Sequence, residues 1–544
     1  MPEDDATSKD RPTPQADLIV PPTMWDKSSG PRPRAEHTEP KCAGLRAYLA
    51  LIVLTLLAFA PILKSDLLWT QYDEVQRSPY SSMECWQDAW NIASIRQHDP
   101  ITLTSYFAES LLPLPPATAH RLINLLLHLT AALLLLSVLQ GLKQCGAFAA
   151  ALVFALHPVV LQALYWPGYR NEMVGLIFIL ASLYFGIRNR NARDFLLTLL
   201  LTCIGAIIHP AALAVPALLA MVIFYQHKTV HLHHFNRVLP LACVVLFIGV
   251  WTQSAPLPNP GAANLSQATI VGQNLYFYLR QGLLPLELKL FHPFSAGQSY
   301  NVGAANNLLG FLVFVPFYVL IALNLHRRWA RGLLLGLTSF LLLLIYGLNQ
   351  TGRFIDGSLA KEEYGLYVAL PALIALIFCG LANFFGRRDR FAGFVWLGGF
   401  SLFLLAHFGL TLSYAYAHRD SVHLWQLMAG QWKNSWQPKA ALVDAAQSRD
   451  SQLLSERDMI RTLEDILALN PQRHENRIEL ARRYRDSKQN TNAVREYQRI
   501  LRETQPEDQL LQEAADFFDK LNLRWEATKA RERIGRAQSP AGNT

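Results

Sequence analysis
The sequence predicts an all-α protein: a polytopic membrane bundle of about eleven transmembrane helices followed by a C-terminal helical solenoid. Three observations predict it. Of 544 residues, 51% are hydrophobic and only 17% charged, against about 25% charged in soluble chains. The deficit falls in the first four-fifths, which carries many apolar stretches of roughly 16–24 residues, the length that crosses a bilayer. The last 130 or so residues are polar and repeat small and aromatic residues at a fixed interval.

Residues 1–43, rich in Pro and charge, read as a disordered cytoplasmic tail. The first apolar run starts too late and runs too long for a cleavable signal peptide. Spans are expected near 45–63, 120–141, 146–164, 172–187, 195–209, 211–226, 237–252, 306–325, 332–348, 364–386 and 391–415. With the N-terminus inside, the basic loops (Lys143; Arg188, Arg190 and Arg193; Lys228 and Arg237; Arg327, Arg328 and Arg331; Arg387, Arg388 and Arg390) all fall on the cytoplasmic side. The spans 195–209 and 211–226 are separated only by Ile208-His209-Pro210. Merging them would put the downstream Arg clusters outside, so they are kept apart. Eleven spans leave loops 64–119 and 253–305 and the C-terminal domain, 417–544, on the non-cytoplasmic side. Loops of that length are uncommon unless functional.

In the C-terminal domain Ala481, Tyr484 and Ala493 recur as Ala515, Phe518 and Ala527, each 34 residues further on, with Tyr497 in the same pattern and Pro471 and Pro506 between units. A 34-residue period is the tetratricopeptide (TPR) interval. Two clear units and a degenerate one near 440–470 would form a minimal solenoid.

The net charge of +8 sits in orientation-setting loops rather than in a nucleic-acid footprint. There is no Walker A sequence, no His-Glu-x-x-His and no Cys-x-x-Cys. The six scattered cysteines imply no disulfide framework. A transporter is disfavoured by the lack of internal symmetry.

Four groups of residues could carry chemistry. Asp73-Glu74, about ten residues past the first span, puts two carboxylates near the outer membrane surface. One could act as general base toward an acceptor hydroxyl, or the pair could hold a divalent cation such as Mg or Mn. In a random loop, two such acids would simply be solvated. His120, Asn124 and His128 are spaced i, i+4, i+8 on one helix face, reaching roughly 12 Å into the membrane. Such a face serves either function or interhelical bonding. His157-Pro158 and Arg170-Asn-Glu172 flank the outer turn Leu164–Tyr169. There Arg170 suits a phosphate, or else forms a surface pair with Glu172. Arg280 lies in an aromatic, aliphatic and basic stretch, Tyr276–Pro285, expected to rest on the membrane. It could reach a lipid phosphate or only snorkel to the headgroups.

Together these segments resemble the GT-C superfamily of polytopic glycosyltransferases, most nearly the transmembrane-and-TPR proteins related to O-mannosyltransferases. The likeness is carried in order by His120-Arg-Leu-Ile-Asn124-Leu-Leu-Leu-His128, Phe154-Ala-Leu-His157-Pro158 with Gly168-Tyr-Arg170-Asn-Glu172, and Tyr278-Leu-Arg280 through Phe291-His-Pro293. It continues through Glu363-Tyr-Gly-Leu-Tyr367-Val-Ala369 and His418-Arg419-Asp420 with Leu424-Trp425. The resemblance implies inverting transfer of a sugar from a polyprenyl-phosphate donor to an acceptor hydroxyl, outside the cytoplasm. It makes Asp73, with Glu74, the catalytic candidate. Arg170, Arg280, His128, His157 and His209 become candidates for the donor phosphate, with His120, Asn124, Glu172 and Glu363 in support. It implies a lipid carrier and a protein acceptor or partner bound by the TPR domain. The scarce cysteines on the outer side and the single TPR cluster favour a bacterial inner membrane over an endoplasmic reticulum. The chain departs from the family where Lys-Glu is usual and His209-Pro210 stands, where an acid is usual and Gln162 stands, and where Arg-Pro is usual and Asp99-Pro100 stands. Charges are thereby lost from the expected donor site. The competing expectation is a catalytically diverged scaffold whose TPR domain assembles an envelope or secretion complex.

Overall fold
The computed structural model describes residues 44–64, 83, 86–87, 90–91, 100–165, 169–227, 231, 235–252, 265–285, 292–293, 312–349, 352–353, 359–361, 363–385, 390–418, 421–447, 454–503 and 507–534. Each of the eleven expected spans holds helix. In order the described helices of this part are α1 (Leu45–Phe59), α2 (Pro100–Ser110), α3 (Pro116–Gly141), α4 (Ala147–Ala155), α5 (Val160–Tyr165), α6 (Arg170–Arg188), α7 (Ala192–Ile208), α8 (Val215–Gln226), α9 (Val238–Thr252), α10 (Leu265–Leu283), α11 (Phe314–Leu323), α12 (Arg328–Asn349), α13 (Leu370–Phe385) and α14 (Arg390–Ala417). Here α2 and α10 lie in the stretches expected as outer loops. Among the described residues five helical segments are long and apolar enough to cross a membrane: Leu45–Lys64, Pro116–Gly141, Arg170–Arg188, Arg328–Ile345 and Phe391–Ala417. Four shorter apolar helices accompany them: Pro210–Gln226, Val238–Val250, Phe314–Leu323 and Leu370–Phe385. The apolar window of α14 is only 6% buried, and Phe391, Phe394 and Leu405 stand exposed on it. An outward face of that kind suits lipid rather than water.

The expected span 146–164 is not one helix. It breaks after Ala155 because Pro158 has no N–H to give and crowds the preceding turn. The chain resumes as α5. The carbonyls freed at the break are held from other helices: His128 of α3 contacts the Ala155 carbonyl oxygen through Nε2 at 3.1 Å, and Thr411 of α14 donates to that of Leu156 at 2.5 Å. Between α7 and α8 His209 is fully extended (φ −144°, ψ 125°), so these are separate helices, as the charge pattern required. His209 Nδ1 accepts the Ala211 N–H at 3.1 Å and caps the short 3-10 turn Pro210–Ala214. Gly175 lies beneath this turn. A Cβ there would sit 2.5 Å from that of His209, so only glycine lets α6 and the turn approach so closely.

Against the expectation of helices alone, three short strands among the described residues form an antiparallel ladder: β1 (His292–Pro293), β2 (Gly352–Arg353) and β3 (Leu359–Lys361), with β3 in the middle. The ladder joins the chain after α10 to the connection between α12 and α13.

Beyond α14 come α15 (Ser421–Gln431), α16 (Gln437–Gln447), α17 (Glu456–Leu469), α18 (His474–Asp486), α19 (Asn490–Glu503), α20 (Asp508–Lys520) and α21 (Arg524–Arg531). Ala481, Tyr484, Ala493, Tyr497, Phe518 and Ala527 are buried in one core, and Ala515 is also buried. The turns after α18 and α20 each use a residue in the left-handed region, Lys488 and Asn522, both at φ 60°. Tyr497 donates to Glu513 at 2.8 Å, and Arg482 and Arg485 close on the same carboxylate at 2.7 and 2.6 Å.

Asp444 on α16 is less well placed. Burial raises its carboxyl to about 6, only partly opposed by Arg473 and reinforced by Glu475 and Glu479. A raised folded-state value means its effect is least harmful below the unfolded value of 3.8 and grows as pH climbs through about 6. Asp444→Asn is therefore expected to raise the unfolding midpoint at neutral pH and to leave it unchanged at about pH 4. A pH series of thermal melts checks this; a midpoint shifted equally at both ends would contradict it.

Candidate active site
A buried polar cluster sits where α2, α3 and α6 meet. Arg170 begins α6 and is 0% exposed. Its Nε donates to Asn124 Oδ1 at 2.8 Å, Nη1 to Ser105 Oγ at 3.1 Å and Nη2 to Glu109 Oε2 at 2.5 Å. Nη2 also lies 2.7 Å from His120 Nδ1, and the guanidinium stacks 4.3 Å over the Tyr106 ring. His120 Nε2 is 3.0 Å from Asn124 Nδ2. The i, i+4 spacing read from the sequence thus unites His120 and Asn124 as expected. Burial disfavours charge on Glu109, but the His120 hydrogen bond and the Arg170 charge outweigh it and hold the carboxyl below its ordinary value.

Two expectations are corrected. Arg170 is neither open to solvent nor paired with Glu172, because each finds another partner across a helix contact. Glu172 faces His209 Nε2 at 2.9 Å, both buried. His209, expected near the donor phosphate, is engaged by that carboxylate. Glu109, Ser105 and Tyr106 were not singled out in the sequence, since α2 lay within a stretch read as loop. Their i, i+1 and i+4 spacing after a helix-starting proline was the available signal.

His128 lies two turns deeper on α3 than His120. Its Nδ1 is 3.0 Å from the Tyr367 hydroxyl, and Phe59, Phe154 and Tyr367 surround its ring. These contacts place His128 in the bundle core. His157 packs its ring 5.1 Å from that of His407 and bonds the Gly282 backbone, linking the helix break to α14 and α10. Arg280 is exposed on α10 while Asn274, Tyr278 and Gln281 of the same helix are buried, the arrangement expected of a helix with one outward face. Glu363 opens the 3-10 turn Glu363–Leu366; its side chain lies outside the described residues. Asp73 and Glu74 also lie outside them. Among the described residues no group of three or more His, Cys, Asp or Glu is placed to hold a metal ion.

Next to His120, Arg121 donates to the Tyr165 carbonyl at 3.0 Å and stacks 4.1 Å over its ring. The Tyr165 hydroxyl in turn donates to the His418 carbonyl, at the entry to the C-terminal helices. Two successive residues of α3 therefore tie the polar cluster to the junction with the C-terminal domain.

Long apolar helices enclosing a buried polar cluster define a membrane protein. No family model matches the chain. It is 23% identical over 397 residues to a protein O-mannosyl-transferase of Caenorhabditis elegans, a match covering 66% of this chain and 55% of that protein. The matched part is thus about half the length of that relative. The similarity supports a GT-C-like glycosyltransferase relationship, the one read from the motifs.

Proposed function
We propose that the protein is an inverting membrane glycosyltransferase that moves a sugar from a polyprenyl-phosphate carrier to an acceptor hydroxyl on the non-cytoplasmic side. The observation that carries this reading is the similarity to a protein O-mannosyl-transferase. In the reaction Asp73 takes the proton of the acceptor hydroxyl, whose oxygen attacks the anomeric carbon from the face opposite the leaving phosphate. Glu74 supports Asp73, directly or through a shared divalent cation. Arg280, exposed on a helix expected to lie at the membrane surface, meets the phosphate headgroup of the donor. Arg170, His120 and Asn124 form the polar wall behind it.

The bundle has eleven spans with its N-terminus in the cytoplasm, and the membrane is a bacterial inner membrane. Helices α16 to α21 form a TPR-like solenoid outside the cytoplasm that receives the protein acceptor. Burial of the residues at the 34-residue interval supports this.

The test compares secreted and membrane proteins from cells with and without the gene, by mass spectrometry of O-linked hexose. Loss of hexose from a defined set of Ser and Thr sites, restored by the wild-type chain, is the expected outcome. Identical glycoproteomes in both strains would reject the reading.

A further inference from the structure
The basic loops of the bundle are not equivalent. Asp194 lies in one and Asp389 in another, whereas the turn between α11 and α12, Asn324-Leu-His326-Arg327-Arg328-Trp329-Ala-Arg331, holds no acid. Elsewhere the arginines are engaged: Arg188 pairs with Asp194 at 3.8 Å, and Arg237 donates to Asn189. Arg327, Arg328 and Arg331 meet no carboxylate among the described residues.

Two of these three are nonetheless held in place. Arg331 is buried, and its Nη1 donates to the carbonyls of Phe224 and His227 at 3.2 and 2.5 Å, where α8 ends. Its Nε has no partner among the described residues. The Arg328 guanidinium lies 5.5 Å from the centre of the Tyr225 ring, and the Tyr225 hydroxyl accepts from Gln144 at 2.9 Å. Arg327 and Arg328 are exposed. All three stand at the N-terminus of α12, where the peptide dipoles already favour an anion and no acidic residue occupies the first turn. Like charges crowded on one helix turn destabilise one another, and an anion relieves them together.

The flank of the charge is apolar. Trp329 is 42% exposed between Arg328 and Arg331, and Leu320 and Leu323 at the end of α11 are 44% and 73% exposed. An indole beside basic residues at a span end is an interfacial arrangement. A ligand that covers both surfaces has an anionic head and a hydrocarbon body. A phosphodiester offers a guanidinium two oxygens to grip. A zwitterionic headgroup brings in addition a cation that three guanidiniums repel.

We propose that this turn is a binding site for an anionic phospholipid, with its phosphate on Arg327 and Arg328, the charge of Arg331 behind them, and its acyl chains along the exposed side of α11. By the charge pattern of the loops the site lies on the opposite side of the membrane from Asp73. It is separate from the donor site and does not rest on the transferase reading. A lipid bound there braces α12 against the end of α8 and stabilises the bundle by mass action.

The experiment titrates the purified full chain, in a neutral maltoside detergent, with dioleoylphosphatidylglycerol. Dioleoylphosphatidylcholine and inorganic phosphate are separate arms. Native mass spectrometry counts the retained lipid, and thermal melts read the stabilisation. Arg327→Gln/Arg328→Gln is expected to bind the phosphatidylglycerol about thirtyfold more weakly than wild type, the attraction of two guanidiniums for an anionic headgroup. Arg190→Gln/Arg193→Gln removes the same charge from another basic loop and should leave the affinity unchanged. Equal affinity in wild type and Arg327→Gln/Arg328→Gln overturns the proposal. An equal loss in both double variants overturns it too, because the attraction then belongs to the whole basic surface. Phosphatidylcholine bound as tightly as phosphatidylglycerol overturns the anionic headgroup, and equal stabilisation by inorganic phosphate overturns the lipid. Should Arg327→Gln/Arg328→Gln fail to fold, the wild-type chain reports instead. Its preference for phosphatidylglycerol over phosphatidylcholine should fall as salt rises from about 0.05 to 0.5 M, since exposed guanidiniums are screened. A preference indifferent to salt overturns the proposal.

Discussion
Arg170→Gln is expected to lower the unfolding free energy by about 3–5 kcal/mol, the cost of leaving a buried carboxylate without its counter-charge. The geometry sets that scale. Arg170 is 0% exposed, and three of its nitrogens reach Asn124, Ser105 and Glu109, so truncation strips partners from two helices at once. The double variant Glu109→Gln/Arg170→Gln should recover much of the loss, since removing both charges leaves a neutral amide pair where an orphaned ion stood. Denaturant unfolding in detergent measures both. A single variant within about 0.5 kcal/mol of wild type, or a double variant as unstable as the single, would show that the ion pair does not hold α2 to the bundle.

Asp73→Asn is the second large effect. The amide keeps the size of the side chain and removes its basicity, so in the proposed reaction the acceptor hydroxyl must lose its proton to water. The expected loss of transfer is on the order of hundredfold, with expression and acceptor binding intact. Because the proton moves only in the transition state, the loss should appear in kcat rather than in KM. A chelator added to the wild-type enzyme separates the two readings of the acid pair. If Asp73 and Glu74 hold a cation, activity falls with chelator and returns with Mg or Mn. Full transfer by Asp73→Asn would move the base to another residue.

The helical architecture was legible because lipid imposes long apolar runs and basic loops, both visible without partners. The 34-residue interval was legible because small and aromatic residues recur at it, and the structure buries them. His120 and Asn124 were found because one helix places them together. Glu109 was not, because Ser-Tyr-Phe-Ala-Glu-Ser becomes polar machinery only when folding brings Arg170, 61 residues away, against it. The Glu172–His209 pair was missed similarly, and the sequence offered the adjacent Arg170 as an easier partner. Pro158 announced a break that the apolar run around it concealed. The ladder of β1, β2 and β3 escaped notice because two- and three-residue strands carry no periodicity.

The break at Leu156 bears on how such a chain is made. Its carbonyl is satisfied by Thr411, 255 residues further along, which a ribosome supplies only after nearly all the remaining helices have entered the bilayer. Until then that oxygen needs another donor, because hydrocarbon offers none. The half-made bundle must therefore keep a wet seam along α4 and α5, sealed when α14 arrives. Chains that stall before residue 411 should then stay within reach of quality-control proteases even with every earlier helix inserted.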